Sequence, residues 1–207
     1  MNSTKQKILT TSLELFNERG ISDVSLRTIS DEMGISVGNL QYHFKKREDI
    51  IEALYFSLVE KIDGIALVPG ENMLDAVMQI STATFTKLYE NRFFLLDFVA
   101  ITRKNEKIKQ HYSELMQRRV NEFLQVVEVL IQQSIFREER LKNEYQGLYK
   151  RLEVISNFWF SSELIRVDSI SEKCLADYRL MIAQTMYPYL TVGGREMYAK
   201  EFPELMN

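Results

Sequence analysis

Apolar residues recur three and four positions apart along nearly the whole chain, and the strict alternation that marks strands is absent. Leu9, Leu13 and Phe16 line one face of a first helix, with Ile8 and Leu15 beside them. Ser3 with Gln6 gives that helix a capping-box start, and Gly20 closes it. Ser25 is placed to cap a second helix, whose apolar face is Leu26, Ile29 and Met33. Gly34 supplies the permissive backbone that ends it. Ile35 resumes the pattern, and Ser36 caps a short third helix running through Val37, Leu40 and Phe44. A fourth begins near Arg47, with Glu48 and Asp49 in its first turn where the helix dipole favours them. It continues through Ile50, Ile51, Leu54, Leu58, Val59 and Ile62.

Pro69-Gly70 marks a break, after which the helices lengthen. Asn72 with Asp75 opens one to about Tyr89. Asn91 caps the next, through Ile101, and Asn105 one that reaches Phe136. A charged loop spans Arg137 to Lys142, and a further helix covers Glu144 to Val167. Ser169 with Glu172 opens the last long helix, toward Tyr189. Gly193-Gly194 then sets apart a terminal amphipathic segment, Arg195 to Phe202. The pattern predicts an all-α chain: a three-helix domain at 1–48 and a larger helical bundle at 49–207.

Composition narrows the picture. With 207 residues, the chain can bury a sizeable core. Its 8 glycines and 3 prolines suit long helices better than a turn-rich β fold. A single cysteine, Cys174, excludes an internal disulfide framework and gives no metal-binding spacing. No secretory leader is legible, and no apolar run approaches the roughly 20 residues a bilayer span needs, so a cytoplasmic location is expected. A net charge of −3 argues against a body coated in positive charge, but not against a local basic patch.

Such a patch exists. Two short helices joined by a tight glycine-containing turn make a helix-turn-helix, whose second helix enters the DNA major groove. The outward residues of that helix are Gly38, Asn39, Gln41, Tyr42 and His43, none of them acidic. Lys45, Lys46 and Arg47 come directly after it. Arg27 and Thr28, in the first turn of the preceding helix, can touch the DNA backbone. Lys5 and Lys7 oppose the dipole at the start of the first helix, which fits nearby phosphate as readily as two solvated lysines.

Enzyme chemistry finds little support. Of the two histidines, His43 and His111, the second shares a helix face with Glu114 but lacks a third ligand. There is no phosphate-binding glycine loop and no GxSxG nucleophile turn. Cys174 reads as a small, partly buried residue. No metal, cofactor or catalytic site is expected. A helical adaptor or enzyme keeping the motif for packing is the competing reading. Another helix-turn-helix class would show a β-hairpin wing after Phe44, and the sequence there has none.

On LFNERG, SLRTISDEMGIS and VGNLQYHFKKREDI, the chain resembles the TetR family of bacterial transcriptional regulators over about residues 5–60. Beyond residue 60 only the helical layout is similar. The resemblance implies DNA contacts from Arg27, Thr28, Ser36, Val37, Gly38, Asn39, Gln41, Tyr42 and His43, with Lys45 and Arg47 on phosphates. It also implies a ligand-binding and dimerising second domain. The expected regulator is a homodimer on a palindromic double-stranded operator, a repressor released by a small effector; activation or corepression stays open. Gln41 departs from the family, many members of which carry an aromatic residue there. Glutamine can bond bidentately to adenine, which predicts base preference at that position.

The second domain is rich in aromatics. One reading is an apolar ligand cavity walled by Phe94, Phe98, Phe123 and Trp159, with a few polar groups (Arg103, His111, Tyr112, Gln117 or Glu163) selecting a largely apolar effector. The other is an ordinary aromatic core. The helices at 144–167 and 171–189 are apolar on more than one face, which predicts burial against both their own domain and a partner.

Overall fold

The computed structural model describes residues 4–65, 73–167 and 169–206. The regular elements among them are helices: α1 Thr4–Arg19, α2 Leu26–Met33, α3 Val37–His43, α4 Arg47–Asp63, α5 Met73–Glu90, α6 Arg92–Leu96, α7 Phe98–Lys104, α8 Glu106–Gln132, α9 Glu144–Leu164, α10 Glu172–Met186 and α11 Val192–Glu201. Single 3-10 turns lie at Tyr187–Tyr189 and Pro203–Leu205, and one isolated antiparallel pair joins Phe136 to Leu190. The all-α expectation holds. Ser3, Pro69-Gly70 and Asn72, expected to mark helix starts and a break, lie outside the described residues. The chain forms two compact units, Met1–Gly64 with Thr86–His111, and Ile65–Phe85 with Tyr112–Asn207.

In the first unit, α1 buries Ile8, Ser12, Leu15 and Phe16. Of the expected face, Phe16 is buried, but Leu9 and Leu13 are only half-buried, and Ile8 and Leu15, expected beside them, are the buried pair. The helix carries a stripe wider than its neighbours cover, and the neighbours choose the line. Phe16 lies 5.4 Å from Phe93, and Tyr55 of α4 lies 5.0 Å from Phe94.

The helix expected from Asn91 through Ile101 is broken in two at Asp97. Asn91 is buried and caps nothing with its side chain, which donates instead to the Lys87 carbonyl at 2.9 Å. Both ends of α6 are held by side-chain bonds to the end of α1. Asn17 donates to the Glu90 carbonyl (2.8 Å) and accepts from the Phe93 amide (3.0 Å), while the Asp97 carboxylate accepts from the Ile21 amide (3.2 Å). These bonds satisfy backbone groups that a continuous helix would have paired internally.

In the second unit, Phe85 stacks on Tyr178 with ring centroids 3.5 Å apart, and Trp159 and Phe160 close the cluster. Between α8 and α9, Asn157 donates to the Tyr112 hydroxyl at 2.6 Å, and the Tyr149 hydroxyl faces Met116 Sδ at 3.7 Å. Helix α8 stops at Gln132 and not at Phe136, since Ser134 adopts a left-handed φ of 56° and turns the chain. The loop after it is clasped by Arg137, whose guanidinium pairs with both Glu144 carboxylate oxygens (2.7 and 2.9 Å). The hydrogen bonds from Arg137, joined by the Arg140 amide, hold the Glu144 carboxyl down at about 2.

Ser171, not Ser169, caps α10, accepting from the Cys174 amide. Gly193 and Gly194 do not set a segment apart. They lie inside the first turn of α11, which Thr191 caps by accepting from the Gly194 amide at 3.0 Å. Gly194 is needed for space: a Cβ there would stand 2.2 Å from the Ile135 carbonyl oxygen. Gly194→Ala is expected to destabilise the protein by about 1–3 kcal/mol through overpacking. Gly193→Ala, with nothing closer than 4.0 Å, should be neutral or slightly stabilising. Urea unfolding of the two variants checks this, and equal effects would contradict it.

Candidate nucleic-acid interface

The helix-turn-helix is built by local bonds. Ser25 accepts from the Thr28 amide (3.1 Å) while Thr28 Oγ1 accepts from the Ser25 amide (3.2 Å), a reciprocal cap on α2. Gly34, at φ 64°, ends α2, and the Ile35 amide reaches back to the Ser30 carbonyl at 3.0 Å. Ser36 then caps α3 by accepting from the Asn39 amide at 3.2 Å. Ile29 and Leu40 are fully buried and Phe44 nearly so, which leaves α3 one orientation.

That orientation sorts the predicted residues. Gly38, Asn39, Gln41 and Tyr42 are exposed, as are Ser36 and Lys45, while Val37 and His43 are half-buried. Tyr42 is 86% exposed and meets the edge of His43, with ring centroids 5.2 Å apart. An aromatic ring left this open beside two lysines has little to do in the folded monomer. Arg27 is exposed and sits 3.8 Å from Asp31. Thr28 is half-buried, its hydroxyl committed to the α2 cap. Lys5, given no assignment by its position in sequence, stands 5.5 Å over the Phe44 ring, which puts the start of α1 beside the end of α3. Its place at a helix start, where a cation is disfavoured, was the one sequence signal.

Arg47, expected on phosphate, is turned inward. Its guanidinium donates to the Ile21 carbonyl (2.6 Å) and the Val24 carbonyl (3.2 Å), and also meets Glu48. Ile21 is thus held at both of its backbone polar groups, its N–H by Asp97 and its C=O by Arg47. Arg47 braces the loop between α1 and α2, leaving Lys45 and Lys46 as the exposed cations of the run.

The residues expected to line a ligand cavity fall in different units. Phe94, Phe98 and Arg103 belong to the first, where Phe94 and Phe98 meet at 5.6 Å and Arg103 is exposed. Tyr112, Phe123, Trp159 and Glu163 belong to the second. There Tyr112 is bonded to Asn157, Phe123 lies 5.5 Å from Tyr149, and Trp159 is buried among Phe85, Phe160 and Tyr178. Glu163 pairs with Arg166 at 3.2 Å. Among the described residues, no group of three or more His, Cys, Asp or Glu could hold a metal ion, and no helix is long and apolar enough to cross a membrane.

The bracing role of Arg47 is testable. Arg47→Met keeps the stem but strips both carbonyls of their donor, and should cost about 1–3 kcal/mol in chemical unfolding. Arg47→Lys, lacking the planar fork, should recover only part of it. Unchanged stability in Arg47→Met would rule the brace out.

Two family models match successive parts of the chain. A family model described as "Bacterial regulatory proteins, tetR family" matches residues 8–54, and one described as "Bacterial transcriptional repressor" matches residues 60–198. The HTH-type transcriptional regulator YerO of Bacillus subtilis is 27% identical over 123 residues, which cover 54% of this chain and 41% of YerO. The chain therefore spans less than half the length of that relative in the match. The structure of a TetR-family transcriptional regulator from Marinobacter aquaeolei VT8 superposes with a TM-score of 0.85, at 22% identity and 98% coverage of both chains. The ketosteroid transcriptional regulator KstR2 of Mycobacterium tuberculosis has a TM-score of 0.65 at 16% identity, covering 92% of this chain and 97% of its own. Both likenesses concern the fold. With one family model matching the helix-turn-helix and another matching most of the larger helical region, the chain belongs to the TetR family of DNA-binding transcriptional regulators.

Proposed function

We propose that this regulator is a homodimeric repressor that binds a palindromic operator through α3 and is released by a small, largely apolar effector. The observation that carries the reading is the outward face of α3: Gly38, Asn39, Gln41 and Tyr42 are exposed and non-acidic, while Leu40 is completely buried. Gln41 contributes base preference by bidentate bonding to adenine, and Tyr42, Lys45 and Lys5 meet phosphate. Residues 1–48 do the reading and 49–207 the sensing and dimerisation, although the packing unit of the reading head extends to Gly64 and takes in 86–111. On α9, Val154 and Phe158 are exposed at 48% and 44% and share one helix face, and Ile165, just past its end, is 86% exposed, which supports that helix as part of a twofold interface. An isologous dimer sets two α3 helices against half-sites about one helical turn apart. The effector acts to the extent that it prefers the state with the wrong spacing, transmitted through α4.

In vitro selection from random duplexes is expected to yield a two-fold symmetric sequence. Gln41→Ala should then lose about 1–3 kcal/mol of discrimination at one base pair per half-site. Equal weakening on every operator variant would show that Gln41 supplies affinity alone. A thermal-shift series with acyl and polycyclic apolar compounds tests the effector class. A saturating apolar ligand should raise the melting midpoint and weaken binding to the selected duplex, whereas stabilisation by polar metabolites alone would refute that class.

A further inference from the structure

Helix α4 is tied to the start of α8 inside the first unit by polar contacts, among them one of Glu52 with Asn105 at 3.5 Å. At the outer edge, Lys107 pairs with Glu52. Deeper in, the Tyr55 hydroxyl stands 2.8 Å from His111 Nδ1. Tyr55 is 2% exposed, and its ring is walled by Phe94 at 5.0 Å and Phe56 at 5.1 Å. Burial pushes its phenol up to about 12, so the hydroxyl keeps its proton. Among the described residues, His111 is the hydrogen-bond partner that hydroxyl has. Neutral His111 therefore accepts at Nδ1 and carries its own proton on Nε2.

A protonated imidazole has two donors and no acceptor. The Tyr55 oxygen could then only accept, and its proton would be left against aromatic rings without a partner, a penalty comparable to a lost hydrogen bond. The charged groups around the pair do not replace that acceptor. Lys107, four residues before His111, holds its ammonium 5.0 Å over the Phe56 ring and is paired to Glu52, and Glu114 lies three residues further along α8. The Phe56 ring itself meets His111 edge-on at 4.9 Å.

We propose that the Tyr55–His111 hydrogen bond is a proton-sensitive latch. It holds α4 on the first turns of α8 while His111 is neutral, loosens when His111 takes a proton, and so lowers the DNA affinity of the reading head on acidification. Only the last step rests on the DNA-contacting reading of α3.

The test uses the intact protein between pH 8 and pH 5.5, the range in which histidine changes charge. Long-range proton–nitrogen NMR should show neutral His111 with its proton on Nε2. Amide exchange across α4, corrected for intrinsic rates, should rise about tenfold as His111 protonates, the scale of one ordinary hydrogen bond. Tyr55→Phe should exchange fast at both ends and lose the pH response. A proton on Nδ1, or the same pH response in Tyr55→Phe, would overturn the latch. Binding to a selected duplex is compared at each pH between the native sequence and Tyr55→Phe, so that any contribution of His43 on α3, common to both, cancels. A loosened α4 with unchanged affinity would overturn the regulatory step. Failure to bind any duplex at pH 8, with the exchange behaviour intact, would count against the DNA reading and for the latch as a property of the protein alone.

Discussion

A helix of seven residues cannot hold itself together in water. Isolated helices of that length do not repay the cost of nucleation, so α3 exists only because its surroundings impose it. Ser36 satisfies an end amide, Leu40 and Phe44 disappear into the unit, and Gly34 sets the direction of entry. Everything that a reading helix must present to a partner depends on this external bracing. The exposed residues Asn39, Gln41 and Tyr42 contribute little to the fold, which leaves them open to be chosen for recognition.

The bracing extends beyond the three N-terminal helices. The loop between α1 and α2 is gripped at one residue by two side chains from distant parts of the chain, Arg47 on the carbonyl of Ile21 and Asp97 on its N–H. Asn17 does the same at the other end of α6. These contacts accompany the grouping of 86–111 in the same compact unit as the helix-turn-helix. Arg47 donates to two backbone carbonyls while Lys45 and Lys46 stay exposed, so the cationic run after α3 is divided between structure and surface.

The second unit solves a different problem. Its aromatic residues are largely consumed by one another: Phe85, Trp159, Phe160 and Tyr178 form one cluster, and Phe136, Tyr145 and Tyr189 another beneath the Arg137–Glu144 clasp. Its interior polar groups come in pairs across helices, Tyr112 with Asn157 and Ser156 with Tyr178. Such pairs satisfy buried donors, and they are also groups a ligand could engage by exchange.

Local chemistry was legible in the sequence wherever it is settled within a few residues. The caps at Ser25 and Ser36, the Gly34 turn and the start of α4 follow from local spacing, because each is closed by bonds spanning three or four positions. Periodicity also determined that the regular elements among the described residues are helices. It could not determine which line of a wide apolar stripe is covered, so α1 buries Ile8 and Leu15 ahead of Leu9 and Leu13. Nor could it show that Asp97 would break a helix to reach an amide 76 residues away, that Arg47 would turn inward, or that Gly194 is small because the Ile135 carbonyl lies against it. The physical reason is the same in each case: those outcomes depend on unpaired backbone groups and occupied volume supplied by remote segments, and only the folded chain brings them within reach.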